Sequence, residues 1–186
     1  MIEKEVKIVV EYPSLNELKE SLEKELKLLD IEKQEDIYFN YVYRNFKITD
    51  EAVRIRVNTK GIELTYKGPK LHSSLKAREE ISIIVNDLNK TIELLGKIGF
   101  YPVITIKKTR INYLDKSFII SLDSVENLGQ FIEIEAINEI SDQEIQNYTS
   151  NFIRKYEIKG KLTTKSYLEL LIDKYEANFR SNSNTY

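Results

Sequence analysis

Along the first twelve positions Val6, Ile8 and Val10 interleave with Glu3, Glu5 and Lys7, so the two sets point to opposite faces of a strand. The alternation predicts a strand over 2–11, broken at Pro13. The period then changes. In SLNELKESLEKELKLL, Leu15, Leu18, Leu22, Leu26 and Leu29 fall at helical spacing, and Ser14 with Glu17 three residues on forms a capping box. Strand patterns follow at 36–46, 52–59, 62–68 (after a turn at Lys60-Gly61) and 77–85. A helix capped by Asn86 or Asp87 runs through NKTIELLGKIG, ending at Gly96 or Gly99. Three closely spaced strands come next, at 103–113, 117–125 and 130–137. Ser141 with Glu144 starts another capped helix, KSYLELLIDKYEANF (165–179) reads as the last one, and RSNSNTY as a fraying tail. About eight strands in hairpin-like order predict an antiparallel α+β fold, and a closed barrel would remove the edges of so many strands.

The strands share one code. Charged residues sit at alternate positions: Glu3, Glu5 and Lys7; Arg54 and Arg56; Glu63, Thr65 and Lys67; Arg78 and Glu80; Lys108 and Arg110; Ser121 and Asp123; Glu133 and Glu135. The opposite face is expected to be the apolar one, with Val53, Ile55 and Val57, Ile81 and Ile83, Ile104 and Ile106, Ile120 and Leu122, and Ile132 and Ile134. Two arrangements satisfy this code: an open sheet with its charged face in water, or a barrel with that face as the lumen. The charges are sorted by strand. Cations dominate the middle strands, whereas carboxylates dominate the first and the last two. A lumen of that kind could hold a polyanion through arginine and lysine forks, with carboxylates holding a hard divalent cation that bridges to phosphate.

Composition narrows the chemistry. The chain has 186 residues, enough for one domain with a sizeable core, and a formal net charge of −2, which points to no nucleic-acid polymer as partner. It has no cysteine, so thiolate and disulfide chemistry are absent. Its one histidine, His72 in the loop GPKLHSS, is expected to be a solvated side chain. YKGPK lacks the glycine spacing and the Ser/Thr of a P-loop. No apolar run approaches the roughly 20 residues that span a bilayer, and the chain is charged from Glu3 onward. These features predict a cytoplasmic protein without a membrane partner.

Glu3-x-Glu5-x-Lys7 resembles the signature of the CYTH superfamily, the triphosphate tunnel metalloenzymes. Eight further segments resemble the family in the same order: KQEDIYF (33–39), VRIR (53–56), LTYKGPK (64–70), AREEISI (77–83), LLGKIGF (94–100), IKKTR (106–110), LDSVENLGQFIEIE (122–135) and KSYLELL (165–171). Several of these look closest to the class IV adenylyl cyclase-like archaeal branch. The resemblance implies an eight-stranded antiparallel tunnel with helices outside, as a single domain over 1–180 followed by a flexible tail at 181–186. It implies metal binding by Glu3, Glu5, Glu133 and Glu135 with Asp123 close by, and triphosphate binding by Arg54, Arg56, Lys67, Lys108 and Arg110. Lys7 matches the motif lysine that touches phosphate or the attacking water, so Lys7, Glu5 and Glu133 are the expected catalytic residues. Arg78 matches a tunnel-wall position, and Tyr167 either reaches the tunnel mouth from the last helix or only packs.

The resemblance leaves the reaction open. Two Mg²⁺ or Mn²⁺ ions would support water attack on a terminal phosphorus, with Ca²⁺ inhibitory, making the chain a phosphohydrolase of tripolyphosphate or a nucleoside triphosphate. The same parts could instead set a ribose 3′-oxygen against the α-phosphorus and give cyclic AMP plus pyrophosphate. A module that captures polyphosphate or nucleotide without turnover is a third reading, disfavoured by the full carboxylate set. The expected partner is a small triphosphate, and the expected assembly a monomer or homodimer.

Overall fold

The computed structural model describes residues 2–71 and 76–183, without the side chains of 2, 3, 76, 77 and 179–183. His72 and the Glu3 side chain therefore lie outside the described residues. The elements are β1 (Ile2–Tyr12), α1 (Leu15–Leu22), β2 (Lys27–Tyr41), α2 (Phe46–Thr49), β3 (Ala52–Asn58), β4 (Gly61–Lys70) and β5 (Lys76–Val85). They continue with α3 (Leu88–Lys97), β6 (Phe100–Asp115), β7 (Phe118–Val125), β8 (Gly129–Ala136), α4 (Asp142–Lys155), β9 (Lys159–Thr163) and α5 (Tyr167–Ser183).

Local signals hold at the helix starts. The capping boxes at Ser14/Glu17 and Ser141/Glu144 are both formed, and Asp87 caps α3 by accepting from the Lys90 N–H. The first helix is shorter than its leucine spacing predicts. It stops at Leu22, and Lys27 begins a 15-residue strand that pairs with β6 from Lys27↔Leu114 to Tyr41↔Phe100. The ladder offered by β6 overrides helix propensity, which is worth only a few tenths of a kcal/mol per residue. Leu29, which completed the helical pattern, lies exposed on that strand. α2 and β9 carry no period long enough to read.

All nine strands form one antiparallel sheet in the order β5-β4-β3-β2-β6-β7-β8-β1-β9. One edge of β1 is held by β8, from Glu5↔Glu135 to Val9↔Phe131. Its other edge is shared: β5 takes Ile2–Glu5, and β9 takes Lys7–Tyr12. The eight strands from β5 to β1 thus wrap on themselves as expected and meet through the short β1–β5 ladder, while β9 adds a ninth strand along the rest of that edge of β1. Gly160 lets β9 lie close to β1, since a Cβ there would stand 2.1 Å from the Val9 carbonyl oxygen.

Helices cover most of the outer face. Val6, Ile8, Ile120 and Ile132 pack with Leu18 and Leu22 of α1 and Ile145 and Phe152 of α4. Phe39 and Ile55 pack with Phe46 of α2 and Leu95 of α3. Ile81 and Ile83 carry the apolar alternation of β5, but both are 55% exposed. A third cluster, Tyr38, Ile106, Val125, Phe131, Tyr167 and Leu171, is shared by the sheet and α5. Ile106 has the parity of Lys108 and Arg110, so this cluster forms an apolar floor beside the charged interior.

Candidate active site

The charged positions of the strands line a cavity of about 230 Å³. β1 supplies Glu5 and Lys7, β3 Arg54 and Arg56, β4 Lys67, β5 Arg78, β6 Lys108 and Arg110, and β8 Glu133 and Glu135. Sheet register decides who meets whom. Lys7 stands opposite Glu133, Arg56 opposite Asp36, Lys67 opposite Glu80 and Arg110 opposite Asp123, while Glu5 faces Glu135. Directly opposed side chains have Cβ atoms about 4.5–5.5 Å apart, so register converts alternation into specific ion pairs.

On the carboxylate side, Lys7 Nζ lies 2.7 Å from Glu133 Oε1 and 3.4 Å from Glu5 Oε1. Burial opposes its charge, but the attraction of Glu133 and Glu5 outweighs it and holds Lys7 above its ordinary pKa. Arg110 donates Nε to Asp123 Oδ1 at 2.7 Å, and its Nη2 reaches both Asp123 and Glu133. On the cationic side, Arg56 forks onto Asp36 at 2.6 and 2.7 Å, with Arg54 Nη1 3.7 Å from the same carboxylate. Burial pushes Asp36 up, but Arg54 and Arg56 hold it far below the usual carboxylate range.

Asp123, expected close to the metal carboxylates, is held by cations. It is fully buried, Arg110 takes both its oxygens, and Oδ2 also accepts Lys108 at 3.3 Å and the Tyr167 hydroxyl at 2.6 Å. So held, it braces Arg110 and Lys108, and a metal at this carboxylate would have to displace them. Tyr167 lies inside, buried and lining the cavity, its ring 4.3 Å from Lys7 Nζ and 4.8 Å from Lys108 Nζ. Asp36 is the residue that sequence reading missed. Its signal is an acid at an alternate position of β2, in phase with Glu32 and Gln34 and out of phase with the apolar Ile37 and Phe39 of the other face.

Two features of the cavity would suit an anion. The Nε atoms of Arg54 and Arg78 are buried with no hydrogen-bond partner, although most buried donors in proteins are satisfied. Lys108 is also pushed down to about 7, first by burial and then by Arg110, with Asp123 opposing. A bound anion would restore its charge. Tripolyphosphate affinity should therefore weaken as pH rises through about 7, where Lys108 loses its proton, and Lys108→Arg should flatten that dependence. Titration calorimetry across this range checks it; equal slopes in both proteins would remove Lys108 from the site.

Glu5, Glu133 and Glu135 offer oxygen donors on facing positions of β1 and β8, which fits a hard divalent cation in kind. Among the described residues no three acidic or histidine side chains already converge on one metal position. Lys7 and Arg110 hold Glu133, so those cations are the groups a metal would have to displace.

The CYTH domain family model matches residues 1–177. A Methanocaldococcus jannaschii protein described as a candidate adenylate cyclase is 38% identical over 174 residues, covering 91% of this chain and 98% of the relative. The structure of the PH1819 protein from Pyrococcus horikoshii superposes with a TM-score of 0.79 at 37% identity, covering 92% of this chain and 99% of that one. HpAC1 from Hippeastrum, whose structure is described with a dominant triphosphatase activity, superposes at 0.71 with 18% identity, covering 97% and 96%. That likeness is one of fold.

Proposed function

This chain belongs to the CYTH domain family, and on that premise we propose that it is a metal-dependent triphosphatase acting on tripolyphosphate or a nucleoside triphosphate. The observation that carries the reading is the pair of buried, unpartnered arginine N–H groups in a wall whose other cations already hold carboxylates. Such donors match phosphoryl oxygens, which accept charge-assisted and often bidentate bonds. Arg54, Arg56, Lys67, Lys108 and Arg110 would hold the triphosphate tail, and Arg78 its outer end. Lys7, kept charged by Glu133 and Glu5, would orient a phosphoryl oxygen or the attacking water. Glu5, Glu133 and Glu135 would hold Mg²⁺ or Mn²⁺, which when bound supplies charge neutralisation and an acidified water.

Adenylyl cyclisation is the second reading, favoured by the description of the 38% identical relative. The fold does not choose between them. Product analysis with ATP, tripolyphosphate and thiamine triphosphate separates the two: orthophosphate release supports the triphosphatase, whereas cyclic AMP with pyrophosphate overturns it. Ca²⁺ should inhibit in the same assay, because its looser coordination suits the octahedral arrangement poorly. Full turnover with Ca²⁺ alone would contradict this.

A further inference from the structure

A second cavity, of about 450 Å³, adjoins the tunnel and has a different character. Its volume lies within the roughly 300–1,000 Å³ typical of small-molecule sites. It sits between α2 and α5, with Phe39, Phe46, Val103, Leu168 and Ile172 as its apolar lining. The two cavities share Ala52, Arg78, Ser166 and Leu168. Arg78 stands at the junction: Nη2 reaches Asp50 on the second cavity's wall at 3.2 Å, while Nε is buried and unpartnered.

The carboxylates of this second cavity are already matched. Asp50 lies 3.4 Å from Lys70 Nζ, and Glu169 also holds Lys70. Glu51 lies 3.0 Å from Arg44, and Asp173 2.6 Å from Lys165. A cationic ring would find no uncommitted carboxylate here, whereas a neutral flat ring would find an apolar floor. Asn40 adds a polar group: its Oδ1 accepts from the Tyr41 and Phe46 N–H groups at 2.9 and 3.0 Å, which leaves its amide N–H groups as donors to a ring acceptor.

We infer that this vestibule receives the nucleoside of a nucleoside triphosphate whose phosphate tail lies in the tunnel, and that it disfavours thiamine triphosphate. The inference rests on the triphosphate reading of the tunnel and specifies its substrate. Val103→Trp and Ile172→Trp fill the vestibule at positions that do not line the tunnel. Equilibrium binding of ATP, thiamine triphosphate and tripolyphosphate, at one fixed Mg²⁺ concentration, tests it. The wild-type protein should bind ATP more tightly than thiamine triphosphate. Each variant should weaken ATP at least about tenfold and leave tripolyphosphate within about twofold, which also shows that the variant is folded. An unchanged ATP affinity, or thiamine triphosphate binding the more tightly, overturns the vestibule while leaving the tunnel reading intact. Failure of the wild-type protein to bind tripolyphosphate overturns both.

Discussion

Glu133→Gln should lower metal-dependent phosphate release from triphosphates by at least about 100-fold, the scale seen when one preorganised charge is removed from a catalytic site. The carboxylate does two things that an amide of the same shape cannot. It is the nearest counter-charge to Lys7, at 2.7 Å, and it shares Arg110 with Asp123. It is also one of three carboxylates on the β1/β8 wall that could hold a divalent cation. Folding should survive, because Glu5 still neutralises Lys7 and Asp123 still holds Arg110. Initial rates, a thermal melt and Mn²⁺ binding by electron paramagnetic resonance measure the three consequences. Turnover within about threefold of wild type, or undiminished Mn²⁺ affinity, would remove Glu133 from the catalytic wall.

Asp36→Asn should act in the opposite sense, on the fold before the chemistry. Asp36 is 2% exposed and neutralises two arginines that remain charged at any accessible pH. Removing one partner of a buried pair costs about 3–5 kcal/mol, because the remaining charges are left uncompensated. For a domain of this size that corresponds to a melting temperature lower by roughly 10 °C. Tripolyphosphate should raise the melting temperature more in the variant than in the wild type, since the anion supplies the missing counter-charge. A variant melting within about 2 °C of wild type would contradict the argument. The pH dependence has a definite sign. Because Arg54 and Arg56 hold the native carboxyl below its unfolded value of about 4, its contribution is complete above that pH and is lost as pH falls below it. The acid limb of the wild-type stability profile should shift accordingly when Asp36 is replaced.

Much of the site was legible because a strand's period of two is local. Glu5, Lys7, Arg54, Arg56, Lys67, Arg78, Lys108, Arg110, Glu133 and Glu135 all line the cavity, each at an alternate position of its strand. Asp36 escaped because its strand is rich in tyrosine and phenylalanine, and its worth lies in Arg56, which reaches it from β3. Asp123 obeyed the same alternation, yet it is turned into a brace by Tyr167, 44 residues away on α5. The vestibule was invisible for a similar reason: it joins side chains of β2, α2, β6 and α5 that share no pattern along the chain.

The sequence by itself determined the two-faced strands, the capped helix starts, the family and the sorting of cations from carboxylates, all of which depend on neighbours a few residues apart. Tertiary structure alone decided the pairing of each charge, the start of β2 at Lys27 where the helix was expected to run on to Leu29, the sharing of one edge of β1 between β5 and β9, and the apolar chamber beside the tunnel. Those depend on register and closure between distant strands. There a shift of one residue would turn every inward charge outward, and no local period records which register is taken.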